Sequence, residues 1–211
     1  MIFSWPGEDL FEHGRDVALI GECLFPEETR YYNALLNELE NQDNNWWRVA
    51  AALHDIGKAH KKFQATIGRK PSFICHELLS ALYIWEALEA SPKIRAAVAL
   101  TVLLHHHAMD RFETCIKSVK RFETADGFTD YVSRFSKWLG VGIRPIENIT
   151  ADIGALKRWI DQRIYRIAVI GVGPIAVADH VAAARRGGYS SRLLEELKHE
   201  IGGRLEKCKA I

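Results

Sequence analysis

Cysteine is sparse in this 211-residue chain, with four residues at Cys23, Cys75, Cys115 and Cys208 and no C-x-x-C pair. That spacing matches neither a zinc ribbon nor a dense disulfide framework, and it points to a reducing cytosol. A surplus of one charge is also lacking. Lys and Arg number 28 against 27 Asp and Glu, a formal net charge of +1. Such balance argues against a polycationic coating protein but leaves a local basic groove open. The N-terminus, Met1-Ile2-Phe3-Ser4-Trp5-Pro6, has acidic residues close behind it and no basic-then-apolar leader, so no signal peptide is expected. Long apolar runs are missing too. The longest, 96–104 and 167–178, are too short to span a bilayer, and Gly171, Gly173 and Pro174 interrupt the second. A soluble protein with no membrane contact is expected. No internal repeat, low-complexity tract or linker divides the sequence. With 48% hydrophobic residues to fill a core, it reads as a single domain over 1–211.

Strand alternation is nearly absent and helical periodicity is nearly everywhere. Tyr32, Leu35, Leu36 and Leu39 repeat at helical spacing before the polar stretch Asn41-Gln42-Asp43-Asn44-Asn45. Trp46, Val49, Ala50, Leu53 and Ile56 restart the period, with Gly57 and Lys58 near the end of that helix. A helix through His76, Leu79, Tyr83 and Leu88 follows. Ser91-Pro92 supplies an N-cap and first-turn proline for a helix over 93–107 that is apolar on most faces, as a central buried helix should be. Further helices are expected at 112–121, 127–139, 148–169 and 174–186. A C-terminal amphipathic helix at about 190–209, carrying Leu193, Leu194, Leu197, Ile201 and Leu205, suits packing on the domain or on a partner subunit. The fold class is all-α, a helical bundle around a central buried helix.

Nine histidines stand out against this background. The segment Leu53-His54-Asp55-Ile56-Gly57-Lys58 sets an imidazole beside a carboxylate at a helix end. His offers a neutral nitrogen ligand, Asp can bridge two cations, and Lys58 falls within reach of a phosphate beside them. A bare His-Asp pair is more often a cap than a ligand set, but this one has company. His76 opens the next long helix, and His105-His106-His107 follow the apolar Val102-Leu103-Leu104. Asp179 lies within Ile175-Ala176-Val177-Ala178, where a carboxylate needs a cation or a hydrogen-bond set. His13 sits in Phe11-Glu12-His13-Gly14-Arg15.

The order His13, His54-Asp55, Lys58, His76, His105-His106 and Asp179 resembles the HD superfamily of metal-dependent phosphohydrolases. More narrowly, Leu53-His54-Asp55-Ile56-Gly57-Lys58-Ala59-His60-Lys61-Lys62-Phe63-Gln64 is similar to the H-D-x-G-K-x-x-x-x-F-Q signature of CRISPR-associated HD nucleases. No Walker A pattern is present, so the chain resembles the stand-alone HD subunit of a type I system. The resemblance implies an HD-domain bundle and a centre of two divalent metals. Asp55 would bridge both. His13, His54 and Asp179 would complete one site, and His76, His105 and His106 the other. Lys58 would contact the scissile phosphate or the attacking water. The family has two adjacent histidines where this chain has three. His105 and His106 match the stand-alone branch better, His106 and His107 are the alternative pair, and His107 otherwise becomes a substrate contact. Mixed imidazole and carboxylate donors favour Mn, Ni, Co or Fe, with Mg also open. The implied activity is hydrolysis of DNA phosphodiester bonds, single-stranded DNA first, with RNA open. The implied partners are a separate superfamily 2 helicase subunit and an RNA-guided CRISPR surveillance complex in a prokaryotic cytoplasm.

Basic residues near the motifs, Lys61 and Lys62, then Arg185 and Arg186 beyond Asp179, are candidates for a DNA-tracking groove. Trp46-Trp47 could stack on bases but reads better as core, and Gly171-Val172-Gly173 lacks the context of a nucleotide loop. Two other readings stay open: an HD phosphohydrolase of small nucleotides, and a non-catalytic metal-binding subunit of a nucleoprotein complex.

Overall fold

Asp9 starts the helical part of the molecule. Its carboxylate accepts hydrogen bonds from the Phe11 and Glu12 amides and caps helix α1 (Leu10–Leu24). The computed structural model describes residues 1–41, 43–69, 72–106, 112–119, 121–150, 152–185, 196 and 202–208. Ahead of α1 lies a small hairpin of β1 (Phe3–Trp5) and β2 (Glu8–Asp9). After it come α2 (Pro26–Glu40), α3 (Trp46–Leu53), a 3-10 turn (Ile56–Ala59), α4 (Lys61–Thr66), α5 (His76–Ala87), α6 (Pro92–Leu104) and α7 (Phe112–Ser118). Strand β3 (Arg121–Glu123), α8 (Phe128–Leu139), strand β4 (Asn148–Thr150), α9 (Ile153–Lys157) and α10 (Gln162–Arg185) complete the order. The architecture is an all-α bundle, as expected, with two small two-stranded sheets among the described residues.

Two close approaches fix the centre of the bundle. A Cβ on Gly14 of α1 would overlap the Ala52 carbonyl of α3, and one on Gly21 would overlap the Trp47 indole. Glycine at these positions lets the α1 backbone lie against the α3 backbone at Ala52 and against the Trp47 ring, which brings His13 beside the end of α3. Every residue of α3 except Arg48 is buried, Trp46 and Trp47 included, so the tryptophan pair belongs to the core. Buried residues also line nearly every face of α5 and α6. The α6 start is as expected: the Ser91 hydroxyl accepts from the Ile94 amide, with Pro92 in the first turn.

Three expectations need correction. The stretch 148–169 is not one helix. Ile149 is buried between exposed Asn148 and Thr150, and this alternation pairs β4 with β3 through Phe122 opposite Ile149. Further on, α10 is a single helix from Gln162 to Arg185 that runs through Pro174. Proline removes one backbone donor. The buried stripe Ile164, Ile167, Ala168, Gly171, Val172, Ile175, Ala178 and Val181 continues on both sides of it, and that packing keeps the helix going. Gly171 makes the closest approach, against Tyr32 of α2 and Thr101 of α6. By length and composition α10 could cross a membrane, but half of its most apolar window is buried inside the bundle.

The third correction concerns cysteine. All four pair, Cys23 with Cys208 and Cys75 with Cys115, at Cα separations of 5.9 and 5.4 Å. Partners 185 and 40 residues apart meet only through the fold, so linear spacing could not reveal them. Cysteine spacing alone is thus no guide to this pairing. Of the expected C-terminal helix, residues 202–207 are helical, while Leu193, Leu194, Leu197 and Ile201 lie outside the described residues.

Candidate metal centre

Helix α3 ends one residue before the His-Asp pair. His54 is its C-cap, and Asp55, at φ −105° and ψ 7°, opens the 3-10 turn. The pair therefore stands on a corner between two elements, where the sequence suggested one continuous helix. Gly57 makes this corner possible. A Cβ there would overlap the His76 carbonyl and come within 2.7 Å of the Ser80 amide, and the Gly57 amide donates to Ser80 Oγ at 2.8 Å. The turn is thus pressed onto the first turn of α5, which carries His76.

The residues singled out in the sequence converge. His13 Nε2 lies 3.1 Å from Asp55 Oδ2 and 3.3 Å from Asp179 Oδ1. His54 Nε2 lies 3.4 Å from Asp55 Oδ2 and 3.8 Å from Asp179 Oδ1. The other Asp55 oxygen, Oδ1, is 3.0 Å from His76 Nε2. Stacked beyond His76 are His105 and His106, with ring centroids 5.5 and 5.0 Å from it. The donor atoms fall into two groups, each spanning no more than 4.8 Å: His13, His54, Asp55 and Asp179 in one, His76, His105 and His106 in the other. Lys58 Nζ contacts Asp55 Oδ2 at 2.5 Å. His107 and Arg186 lie outside the described residues.

Three imidazoles are oriented from behind in the same way. His54 Nδ1 donates to the Ala51 carbonyl at 2.7 Å, His76 Nδ1 to Phe73 at 2.6 Å and His105 Nδ1 to Val102 at 2.5 Å. Each bond reaches back three residues, so one local rule orients all three rings and turns each Nε2 inward. The Nε2 atoms of His54, His76 and His105, together with Asp55 Oδ1, are buried without a hydrogen bond. Buried polar atoms left so are costly. Imidazole nitrogens converging on an aspartate in this way fit a divalent transition cation.

The electrostatics differ between the groups. Burial opposes charge on His13, but the Asp179, Asp55 and Glu8 carboxylates outweigh it and raise the imidazole to about 10. His54 is likewise disfavoured by burial yet raised to about 9 by Asp55 and Asp179. Burial also works against the two carboxylates. His54, Lys58 and His76 nevertheless hold Asp55 well below the usual range, and His13 and His54 do the same for Asp179. In the second group burial pushes His105 well down and His106 down to about 4, and neighbouring imidazoles add to it. The first group thus draws positive charge onto His13 and His54, whereas burial keeps His105 and His106 of the second neutral.

Among the sequence candidates for DNA, Lys61 and Lys62 are exposed on α4, directly after the turn. The Arg185 guanidinium instead donates to the Cys208 carbonyl at 2.6 Å. Glu8 was missed: its Oε1 lies 3.1 Å from His13 Nδ1, and its other oxygen meets Ser4. No motif marks it, because it arrives from the hairpin. Gln64, inside the motif, also has a structural task. Its side chain bonds the Lys58 carbonyl and both backbone groups of Phe3.

Residues 7–185 match the family model described as Cas3, HD domain. The chain is also 24% identical over 237 aligned positions to the CRISPR-associated endonuclease Cas3-HD of Methanocaldococcus jannaschii, covering 94% of this chain and 95% of that protein. With its motif residues gathered on one corner and most of its length matched by that model, the chain belongs to the Cas3 HD-domain family.

Proposed function

We infer that this protein is a divalent-metal-dependent nuclease that hydrolyses phosphodiester bonds in DNA, single-stranded by preference. It acts in type I CRISPR interference beside a separate superfamily 2 helicase subunit and an RNA-guided surveillance complex. Family membership supports the chemical class. The observation that carries the reading is Asp55, whose two oxygens face the two donor groups at 3.1 and 3.0 Å.

In this reading His13, His54, Asp55 and Asp179 would hold one cation and His76, His105 and His106 a second, with the Asp55 carboxylate placed between the two donor groups. Bound there, such cations supply Lewis-acid charge for phosphodiester hydrolysis. The imidazole-rich donors select Mn, Ni, Co or Fe over Mg, which prefers oxygen. The chain's own groups do the rest. The carbonyls of Ala51, Phe73 and Val102 keep the tautomers, and Lys58 gives the phosphate a cation on the Asp55 side. Lys61 and Lys62 attract the flanking backbone.

The test is cleavage of labelled single-stranded DNA with Mn, Ni, Co or Mg, alongside Asp55→Ala and His54→Ala. Metal-dependent cleavage abolished by both substitutions supports the reading. An absence of cleavage with every metal, or cleavage that survives both substitutions, overturns it.

A further inference from the structure

Phe63 and Gln64 close the motif but take no part in the two donor groups. Their contacts lead outward to the surface. Gln64 Nε2 donates to the Phe3 carbonyl at 2.8 Å and to the Lys58 carbonyl at 2.7 Å, while its Oε1 accepts from the Phe3 amide at 3.0 Å. Strand β1 is thereby clamped to the turn that bears Lys58. Phe63 meets Phe73 edge-on with centroids 5.8 Å apart, and Phe73 lies 6.2 Å from the Trp5 ring of β1.

Phe73 connects this aromatic row to the chemistry. Its ring centroid is 5.2 Å from Lys58 Nζ, and its carbonyl accepts from His76 Nδ1. Lys58 in turn contacts Asp55. Yet the row is open to solvent at its far end, where Trp5 is 52% exposed, and Ile74, which follows Phe73 in the chain, is 56% exposed. An exposed apolar patch that runs into a site marks a contact surface. Cations stand beside it, with Lys58 between the rings and the carboxylate and Lys61 and Lys62 exposed on α4. A cation-edged aromatic row suits a polyanion that carries flat rings. Single-stranded nucleic acid offers such rings, whereas a duplex keeps its bases stacked inside.

We propose that Trp5 and Phe73 form a base-stacking platform, held by Phe63 and Gln64, that grips the nucleotide next to the scissile phosphate and so favours single strands. This rests on the nuclease reading above, and it assigns Trp5 to binding and not to chemistry.

The experiment uses the full chain with Mn and two labelled strands of equal length, one of oligothymidylate and one built of abasic sites. Trp5→Ala should raise KM for the thymidylate strand roughly 5- to 100-fold, the range expected from loss of one base stack. It should leave kcat within about twofold and KM for the abasic strand unchanged, and Trp5→Phe should restore most of the loss. Equal KM values for wild type and Trp5→Ala on thymidylate overturn the platform. So does a kcat loss shared by both strands, which marks a structural role. Quenching of tryptophan fluorescence by metal-free thymidylate, in wild type and in Trp5→Ala, decides the platform without turnover. Quenching absent from wild type, or undiminished by Trp5→Ala, overturns it. Failure of wild type to cleave either strand overturns the nuclease reading and leaves this second measurement to judge the platform.

Discussion

Asp55 Oδ1 lies 3.0 Å from His76 Nε2, on the opposite side of the carboxylate from His13. One side chain therefore joins two donor groups that otherwise share no residue. Asp55→Asn should weaken metal binding at both groups, whereas His106→Ala should weaken it at one. Metal content by mass spectrometry should fall below half of wild type in the first variant and stay near half in the second. Activity should drop in both by more than the roughly 10- to 100-fold that loss of an outer hydrogen-bond partner costs. Equal metal content in the two variants would contradict a shared aspartate.

The charge pattern of the metal-free centre predicts a pH optimum for its stability. His13 and His54 are raised from 6.5 to about 10 and about 9. Their contribution is complete below pH 6.5 and is lost as pH rises through those values. His106 is lowered to about 4 and His105 is lowered as well, so theirs is complete above 6.5 and is lost as pH falls. Thermal melting in chelator from pH 5 to 9.5 should peak near pH 6.5. Added Mn should stabilise more as pH rises above that point, because protons on His13 and His54 must leave before a cation binds.

Gly57→Ala should be damaging although no ligand is touched. The added methyl meets the His76 carbonyl and the Ser80 amide, both backbone groups that cannot swing aside. Overpacking of this kind costs about 1–3 kcal/mol. The shift of α5 against the turn should also separate His76 from Asp55. Melting temperature and metal affinity should both fall, and Gly68→Ala, whose Cβ meets nothing, should change neither.

The Cys75–Cys115 bond closes a loop of 40 residues that contains all of α5 and α6. In the chain-entropy view its loss costs about 4 kcal/mol. Cys75→Ser/Cys115→Ser should lower the melting temperature clearly under oxidising conditions. Reductant should lower that of wild type but have less effect on the double variant.

The candidate donor groups were legible because their chemistry is local: His-Asp, the paired histidines and an aspartate in an apolar helix each break a pattern. Helix positions followed from periodicity where one face is buried, as in α2, and from the Ser91-Pro92 start and a long apolar run in α6. Three-residue strands escaped, because a single buried Ile149 or Phe122 gives too short an alternation to register. The unbroken course of α10 escaped because proline is a strong local signal that tertiary packing overrode. Glu8, Phe73 and both disulfides escaped for a shared reason: each matters only through a partner that folding brings near.

His13 of α1 and Asp179 of α10 meet at 3.3 Å, although they lie far apart in the sequence. During synthesis the nascent chain exposes His13, His54 and Asp55 long before α10 emerges to supply the second carboxylate. The histidine-only group, drawn from α5 and the end of α6, is made earlier. A truncated or still-growing chain therefore lacks Asp179, and under the proposed reading the order of residues along the polypeptide leaves that donor group incomplete until α10 has docked.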